Sequence, residues 1–101
     1  MDYTGKKVIV RSYGAGVFFG ILKEKTTTNG VVEVVLTNSR RLWYWSGACS
    51  LSQLATEGVK TPQGCKFSVS VPEICIEQVI EIIPCSDEAI KNIESVSIWK
   101  S

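Results

Sequence analysis

Short runs in which apolar and polar residues alternate, or in which β-branched residues follow one another, dominate the chain. Punctuated by glycine, asparagine and proline, such runs predict strands. Lys7-Val8-Ile9-Val10-Arg11 is the first. Gly14-Ala15-Gly16 makes a flexible turn, and Val17-Phe18-Phe19-Gly20-Ile21-Leu22 follows as the second, with Gly20 marking a bend or bulge of the kind found in strongly curved small barrels. Asn29-Gly30 is the signal of a tight hairpin turn. Residues 31–37 form the third strand, with Val32, Val34 and Leu36 on one face and Glu33, Thr37, Val31 and Val35 on the other. Asn38-Ser39 either turns the chain, making 40–45 a separate strand, or is crossed by a continuing one. Phe67, Val69 and Val71 alternate with Ser68 and Ser70 as a further strand. The last spans 74–83 and places Ile74, Ile76, Ile80 and Ile82 opposite Glu77 and Glu81.

Two stretches have helical spacing instead. Ser50-Leu51-Ser52-Gln53 carries the signature of a capping box, in which the Ser50 hydroxyl caps and Gln53 reaches back. Leu51, Leu54 and Ala55 then share a face, and Gly58 stops the helix. Pro84 ends the last strand. Ser86 caps a terminal helix whose first turn holds Asp87 and Glu88, favoured there by the positive end of the helix dipole. Ala89, Ile90 and Ile93 form its apolar stripe, and Val96, Ile98 and Trp99 read as a tail that packs onto the body or onto a neighbouring subunit. The expected architecture is mainly β (α+β): a small curved antiparallel sheet or an SH3/Sm-like barrel, with a short helix near 50–57 and a C-terminal helix near 86–95.

At 101 residues the chain is expected to form a single domain, 1–101, with an adequate core. Apolar residues make up 45 % and charged residues 21 %, the profile of a soluble globular protein. No apolar run approaches the roughly 18 to 20 residues that span a bilayer, and residues 1–7 lack the features of a signal peptide. The expected location is the cytoplasm.

The formal charge of +1 conceals an asymmetry: residues 1–60 carry eight basic and four acidic side chains, residues 61–101 three and six. That excess is too small for a protein that coats DNA. It suits a small anion, or contacts between copies of the chain.

Chemistry concentrates in residues 36–45. Arg40, Arg41, Trp43, Tyr44 and Trp45 fall within six residues, and no carboxylate occurs between Glu33 and Glu57 to neutralise them. Guanidinium forks hold phosphates and flat rings stack on bases. On a regular strand Arg41, Trp43 and Trp45 share one face, and Arg40, Leu42 and Tyr44 the other. If Leu42 faces the core, the Arg41-Trp43-Trp45 stripe looks outward and marks a binding surface. Alternatively the tryptophans pack under the 51–55 helix and the arginines lie on the rim. Lys23 and Lys25 either reinforce an anion site or form a solvated strand edge. Gly14-Ala15-Gly16 lacks the G-x-G-x-x-G spacing and precedes no helix, so it reads as a turn rather than a phosphate loop.

Catalysis finds little support, because the commonest general base, histidine, is absent. Cys49, Cys65, Cys75 and Cys85 form no C-x-x-C pair. They read as free, buried thiols, with disulfides or a four-cysteine metal site as alternatives. No metal, cofactor or catalytic residue is assigned, and the expected class is a binder rather than an enzyme.

Leu36-Thr37-Asn38-Ser39-Arg40-Arg41-Leu42-Trp43-Tyr44-Trp45-Ser46-Gly47-Ala48, with Leu51-Ser52-Gln53-Leu54-Ala55 and Ile82-Ile83-Pro84-Cys85 after it, resembles a family of short, uncharacterised phage and prophage proteins across about residues 8–99. The resemblance implies a viral origin and an infected bacterial host. Compact phage proteins of this size include oligomeric sponges that sequester the nucleotide signals of bacterial immunity, an analogy of size, context and residue chemistry. Gly16-Val17-Phe18-Phe19-Gly20-Ile21-Leu22 is also similar to the second strand of Sm-like barrels. The functional expectation is a non-enzymatic, homo-oligomeric phage protein that sequesters a small cyclic nucleotide. Arg40 and Arg41 hold phosphate, Trp43, Tyr44 or Trp45 stack on a base, and Lys23 or Lys25 assist. The alternatives are a single-stranded nucleic-acid-binding β module and a protein-interaction module that inhibits a host enzyme.

Overall fold

A computed structural model describes residues 2–101; Met1 lies outside the described residues. Five strands, β1 (Lys7–Ser12), β2 (Gly16–Thr28), β3 (Val31–Tyr44), β4 (Lys66–Phe67) and β5 (Val71–Pro84), and two helices, α1 (Leu51–Glu57) and α2 (Asp87–Ser95), make up the fold. Hydrogen-bonded pairs run β1–β2, β2–β3, β3–β5 and β5–β1, all antiparallel, so the four long strands close into a ring. β4 is a short addition to the far end of β3.

Closure explains the apolar density of β1. Val8 and Val10 pack inside the ring with Phe18, Leu22, Val34, Leu36, Ile76 and Val79. Ile9 and Phe19 face outward, yet are equally buried, in a second core roofed by α1, α2 and β4 that holds Leu42, Leu54, Phe67, Ala89 and Ile93. A strand covered on both faces needs a continuous apolar run rather than an alternating one.

Bulges curve the wall. At Gly20 the register with β3 slips between Phe19 and Ile21, and a Cβ there would stand 3.1 Å from the Thr37 carbonyl oxygen. On β3 the extra residue is absorbed at Asn38, whose φ of 49° is left-handed. The strand therefore continues through Asn38-Ser39, but with its faces exchanged: Leu36 points into the ring and Leu42 into the outer core.

Two more bulges act on β5. Gln78 takes a φ of 53° where the pairing with β3 shifts, and opposite β1 the register jumps from Arg11↔Glu81 to Ser12↔Val79. Each adds one residue, so the apolar positions facing the ring run Ile76, Val79, Ile82. Ile80 is thrown outward to 55 % exposure, which corrects its placement by regular alternation.

Residues 67–71 likewise do not form one strand. Only Lys66–Phe67 pairs with β3; beyond it the Ser68 hydroxyl, not a ladder carbonyl, accepts from the Arg41 N–H at 2.8 Å, and Val69 is exposed. β2 runs further than expected, to Thr28, because the left-handed pair Asn29-Gly30 closes a hairpin whose arm is almost entirely solvent-facing.

The helix caps form at the expected residues. Ser50 Oγ accepts from the Gln53 N–H at 3.1 Å, while Gln53 Oε1 accepts from Cys49 rather than Ser50, a capping box displaced by one residue. Ser86 Oγ accepts from Ala89 N–H. Gly58, at φ 79°, ends α1 with its N–H on the Leu54 carbonyl. Asn92 of α2 then clasps Val59 with both amide atoms, accepting from its N–H at 2.7 Å and donating to its carbonyl at 2.8 Å.

Candidate functional site

The exchange of faces at Asn38 decides what the arginines do. Arg40 points into the outer core and is 7 % exposed. Its Nε donates to the Ser68 carbonyl at 2.9 Å and its Nη1 to that of Ile93 at 2.8 Å; its Nη2 lies 3.3 Å from the Phe67 carbonyl and 3.4 Å from that of Ser97. Burial lowers its pKa, but the carbonyl dipoles surround the cation. α2 has no basic residue in its last turn, so the Arg40 charge at Ile93 supplies from β3 what the helix C-terminus lacks. Arg40 is therefore a structural clamp, and the expectation that it holds a phosphate gives way to this geometry.

Arg41 is the opposite case. Its backbone is pinned from both sides by Ser68, which accepts from its N–H and donates its own N–H to its carbonyl. Its side chain is exposed, with the guanidinium carbon 4.7 Å from the centroid of the Phe18 ring that floors the site. It lines a cleft of about 440 Å³ together with Tyr13, Gly14, Ala15 and the β5 residues Cys75 and Glu77. The turn is anchored to β5: Tyr13 N–H donates to the Gln78 carbonyl at 2.9 Å and Ser12 Oγ to that of Glu77 at 2.6 Å. Gly14 and Gly16 take φ of 89° and 106° with open space where a Cβ would stand. Among the described residues the N–H groups of Gly14 and Ala15 donate to no acceptor. A turn that reads from sequence as mere connection thus faces the one exposed arginine of the aromatic run.

The aromatic residues divide. A bulge on β3, between Leu42↔Phe67 and Tyr44↔Lys66, breaks the alternation at Trp43. Trp43 and Tyr44 are consequently both exposed, at 66 % and 54 %, instead of lying on opposite faces. Trp45 lies beyond the strand, partly buried against the outer core. The outward stripe of Arg41, Trp43 and Trp45 is corrected to Arg41, Trp43 and Tyr44; of Trp43 and Trp45, only Trp45 packs against the outer core.

The lysines are not gathered at this site. Lys23 reaches across β3 to Glu73, 2.8 Å away, and that carboxylate raises its pKa. Lys25 lies on the hairpin arm opposite Val34, seven β3 residues from Arg41 and so about 23 Å along the strand, beside a separate apolar cleft of about 270 Å³ near Tyr3 and Val32. Three residues of the region escaped the reading of residues 36–45: Tyr13, Lys66 and Trp99. Tyr13 adjoins the glycine turn, which was a legible hint. Lys66 and Trp99 are brought in by pairings of β4 and the tail that no local pattern announces.

The thiols are all free, but only Cys65 is buried, its Sγ near the Ser46 and Thr61 carbonyls, and Cys85 is partly covered. Cys49 and Cys75 are exposed, which corrects the expectation of four buried thiols. Burial pushes the Cys85 thiol up to about 12, and partial desolvation with Glu33 beside it raises that of Cys75. At pH 8.5 Cys85 is then overwhelmingly the unreactive thiol. Iodoacetamide on the native protein should label Cys49 fast, Cys75 slowly, and Cys65 and Cys85 only on unfolding, as read by peptide mass mapping. Rapid native labelling of Cys85 would contradict its environment. Among the described residues no three Cys, Asp or Glu side chains gather to hold a metal ion, and no helix is long and apolar enough to cross a membrane.

Comparison with known families agrees with the extent of this fold. The profile of DUF6948, a domain of unknown function, matches residues 5–93, from two residues before β1 to the last buried turn of α2. The chain belongs to the DUF6948 family. Neither a curated protein nor a solved structure matches it. The DUF6948 match covers the ring, α1, Arg41 and α2 as far as Ile93, and leaves out the tail that carries Trp99.

Proposed function

We propose that this protein is a non-enzymatic phage protein that acts in the cytoplasm of the infected bacterium. It forms a homo-oligomer and sequesters a small cyclic nucleotide used as an immune signal. The binding step rests on one observation: exposed Arg41 and the free N–H groups of the Gly14-Ala15 turn line the same cleft. Its volume of about 440 Å³ falls within the 300–1,000 Å³ or so typical of small-molecule sites. A fork of N–H donors opposite backbone N–H groups suits phosphate oxygens. Glu77, the one carboxylate lining the cleft, would accept from a ribose hydroxyl or an exocyclic amine, and exposed Trp43 offers a ring to the base. Self-association is supported by the exposed apolar side chains of Val31 and Ile80. Holding a signal requires affinity and no turnover, in keeping with a chain that has no histidine.

Native mass spectrometry of protein purified from cells with active defence should report a multimer with a retained nucleotide. Calorimetry with that nucleotide should then show Arg41→Ala losing about tenfold to a hundredfold in affinity, the range of one charge-assisted hydrogen-bonded contact, with an unchanged melting curve. Unchanged affinity removes Arg41 from the site. The single-strand-binding alternative is favoured by the exposure of Trp43, Tyr44 and Trp99. It requires affinity that climbs with oligonucleotide length and falls steeply with salt.

A further inference from the structure

Three segments far apart in the chain meet beside Arg41. Tyr44 of β3 pairs with Lys66 of β4. Phe67 of β4 forms a parallel bridge with Ile98 of the tail, and the Trp99 N–H donates to the Phe67 carbonyl at 2.9 Å. Lys66 Nζ stands 5.3 Å from the centre of the Trp99 ring. Trp99 is half exposed, yet its backbone is not loose: Val96 is buried in the outer core, and Arg40 reaches the Ser97 carbonyl. The ring is thus pre-positioned on the surface, which lowers the entropic cost of using it.

Charge sets this surface apart. No carboxylate occurs in residues 34–56, 58–72 or 95–101, the segments that supply it. Ion pairs join Lys7 to Glu94, Arg11 to Glu81 and Lys23 to Glu73, all outside those segments on at least one side. Arg41, Lys60, Lys66 and Lys100 are exposed and, among the described residues, paired with no carboxylate. Exposed rings set among unpaired cations, with Glu77 of β5 the one acid in the adjoining cleft, are the composition of a surface that stacks bases while tracking phosphates.

Dimensions narrow the ligand. Arg41 and Tyr44 are three residues apart on β3, about 10 Å along the strand. β4 and the bridged tail each add a strand spacing of about 4.8 Å sideways. A mononucleotide with its phosphate at Arg41 can use Trp43 but leaves uncovered Tyr44, the β3 partner of Lys66, and Trp99, whose ring Lys66 approaches. We infer that the ligand carries at least two nucleobases, one phosphate held at Arg41 and a second base stacked on the exposed rings about Lys66, with Trp99 as its principal partner. This rests on the nucleotide-binding reading above and names the class of nucleotide.

The test is calorimetry with the four 5′-mononucleotides, all their 5′-phosphorylated dinucleotides and the corresponding cyclic dinucleotides, on the unmodified chain, Trp99→Ala and Trp99→Phe. At least one dinucleotide, linear or cyclic, should bind about tenfold or more tighter than either constituent mononucleotide. Trp99→Ala should erase that advantage without changing mononucleotide affinity, and Trp99→Phe should restore most of it. Equal binding of mono- and dinucleotides, or an equal loss for both in Trp99→Ala, overturns the second stacking position while leaving Arg41 as a phosphate site. Affinity that keeps climbing with longer oligonucleotides overturns it in favour of a strand. If no mono- or dinucleotide binds the unmodified chain, the nucleotide-binding reading falls and this inference with it.

Discussion

Arg40→Met should lower the unfolding free energy by about 3 kcal/mol, the cost of leaving buried carbonyls without their charged partner. Methionine fills much of the volume but offers no donor to the carbonyls of Phe67, Ser68, Ile93 and Ser97. The Phe67 and Ile93 carbonyls also accept from the Trp99 and Val96 N–H groups, so the loss falls mainly on Ser68 and Ser97 and on the C-terminal end of α2. For a chain of this size the melting temperature should drop by roughly 15 °C. Arg40→Lys should recover little, because an ammonium on a flexible stem cannot span carbonyls that the guanidinium plane reaches together. Urea denaturation followed by circular dichroism measures all three proteins, and a loss below 1 kcal/mol in Arg40→Met would show that water takes over the carbonyls.

Gly58→Ala should cost about 2 to 3 kcal/mol, from two sources. With φ at 79° and ψ at −160° the backbone lies in a region open in practice only to glycine. The added Cβ would also come within 2.4 Å of the Asn92 side-chain carbonyl group and 2.6 Å of its Cβ. Asn92 cannot swing away without abandoning both hydrogen bonds to Val59. Asn92→Ala alone should cost about 2 kcal/mol by freeing those two backbone groups. The double variant should be less destabilised than the sum, because each change removes what the other depends on. Strict additivity in a denaturation cycle would mean that the clash is relieved elsewhere.

Much of the fold was legible because local chemistry and final structure agree. Val8-Ile9-Val10 is apolar at every position since the ring buries one face and the helices the other, and Asn29-Gly30, Ser50, Gly58 and Ser86 act where their types prescribe. The failures share one cause. Period-two alternation assumes a regular strand, whereas the bulges at Asn38, Trp43, Gln78 and Ile80 each advance the phase by one residue. They are dictated by the curvature of a closed ring and carry no dependable local signature. Arg40 and Arg41 illustrate the result: neighbouring residues of one type, of which one is spent inside the protein and the other stands at the cleft. The pairing of Tyr44 with Lys66, and of Phe67 with the tail, lay beyond any local pattern.

The closed ring also sets a timetable for synthesis. Its last rung joins Val8 to Pro84, so the first strand made waits for nearly the whole chain before it gains its second neighbour. Until β5 begins to emerge, the meander of β1, β2 and β3 has the apolar edge of residues 31–36 unpaired. Folding is consequently governed by contacts distant in sequence and completes only after the end of β5 has left the ribosome. A ribosome-stalled chain ending before Pro84 should be a client for chaperones that bind apolar strands, whereas one that exposes α2 beyond the exit tunnel should not.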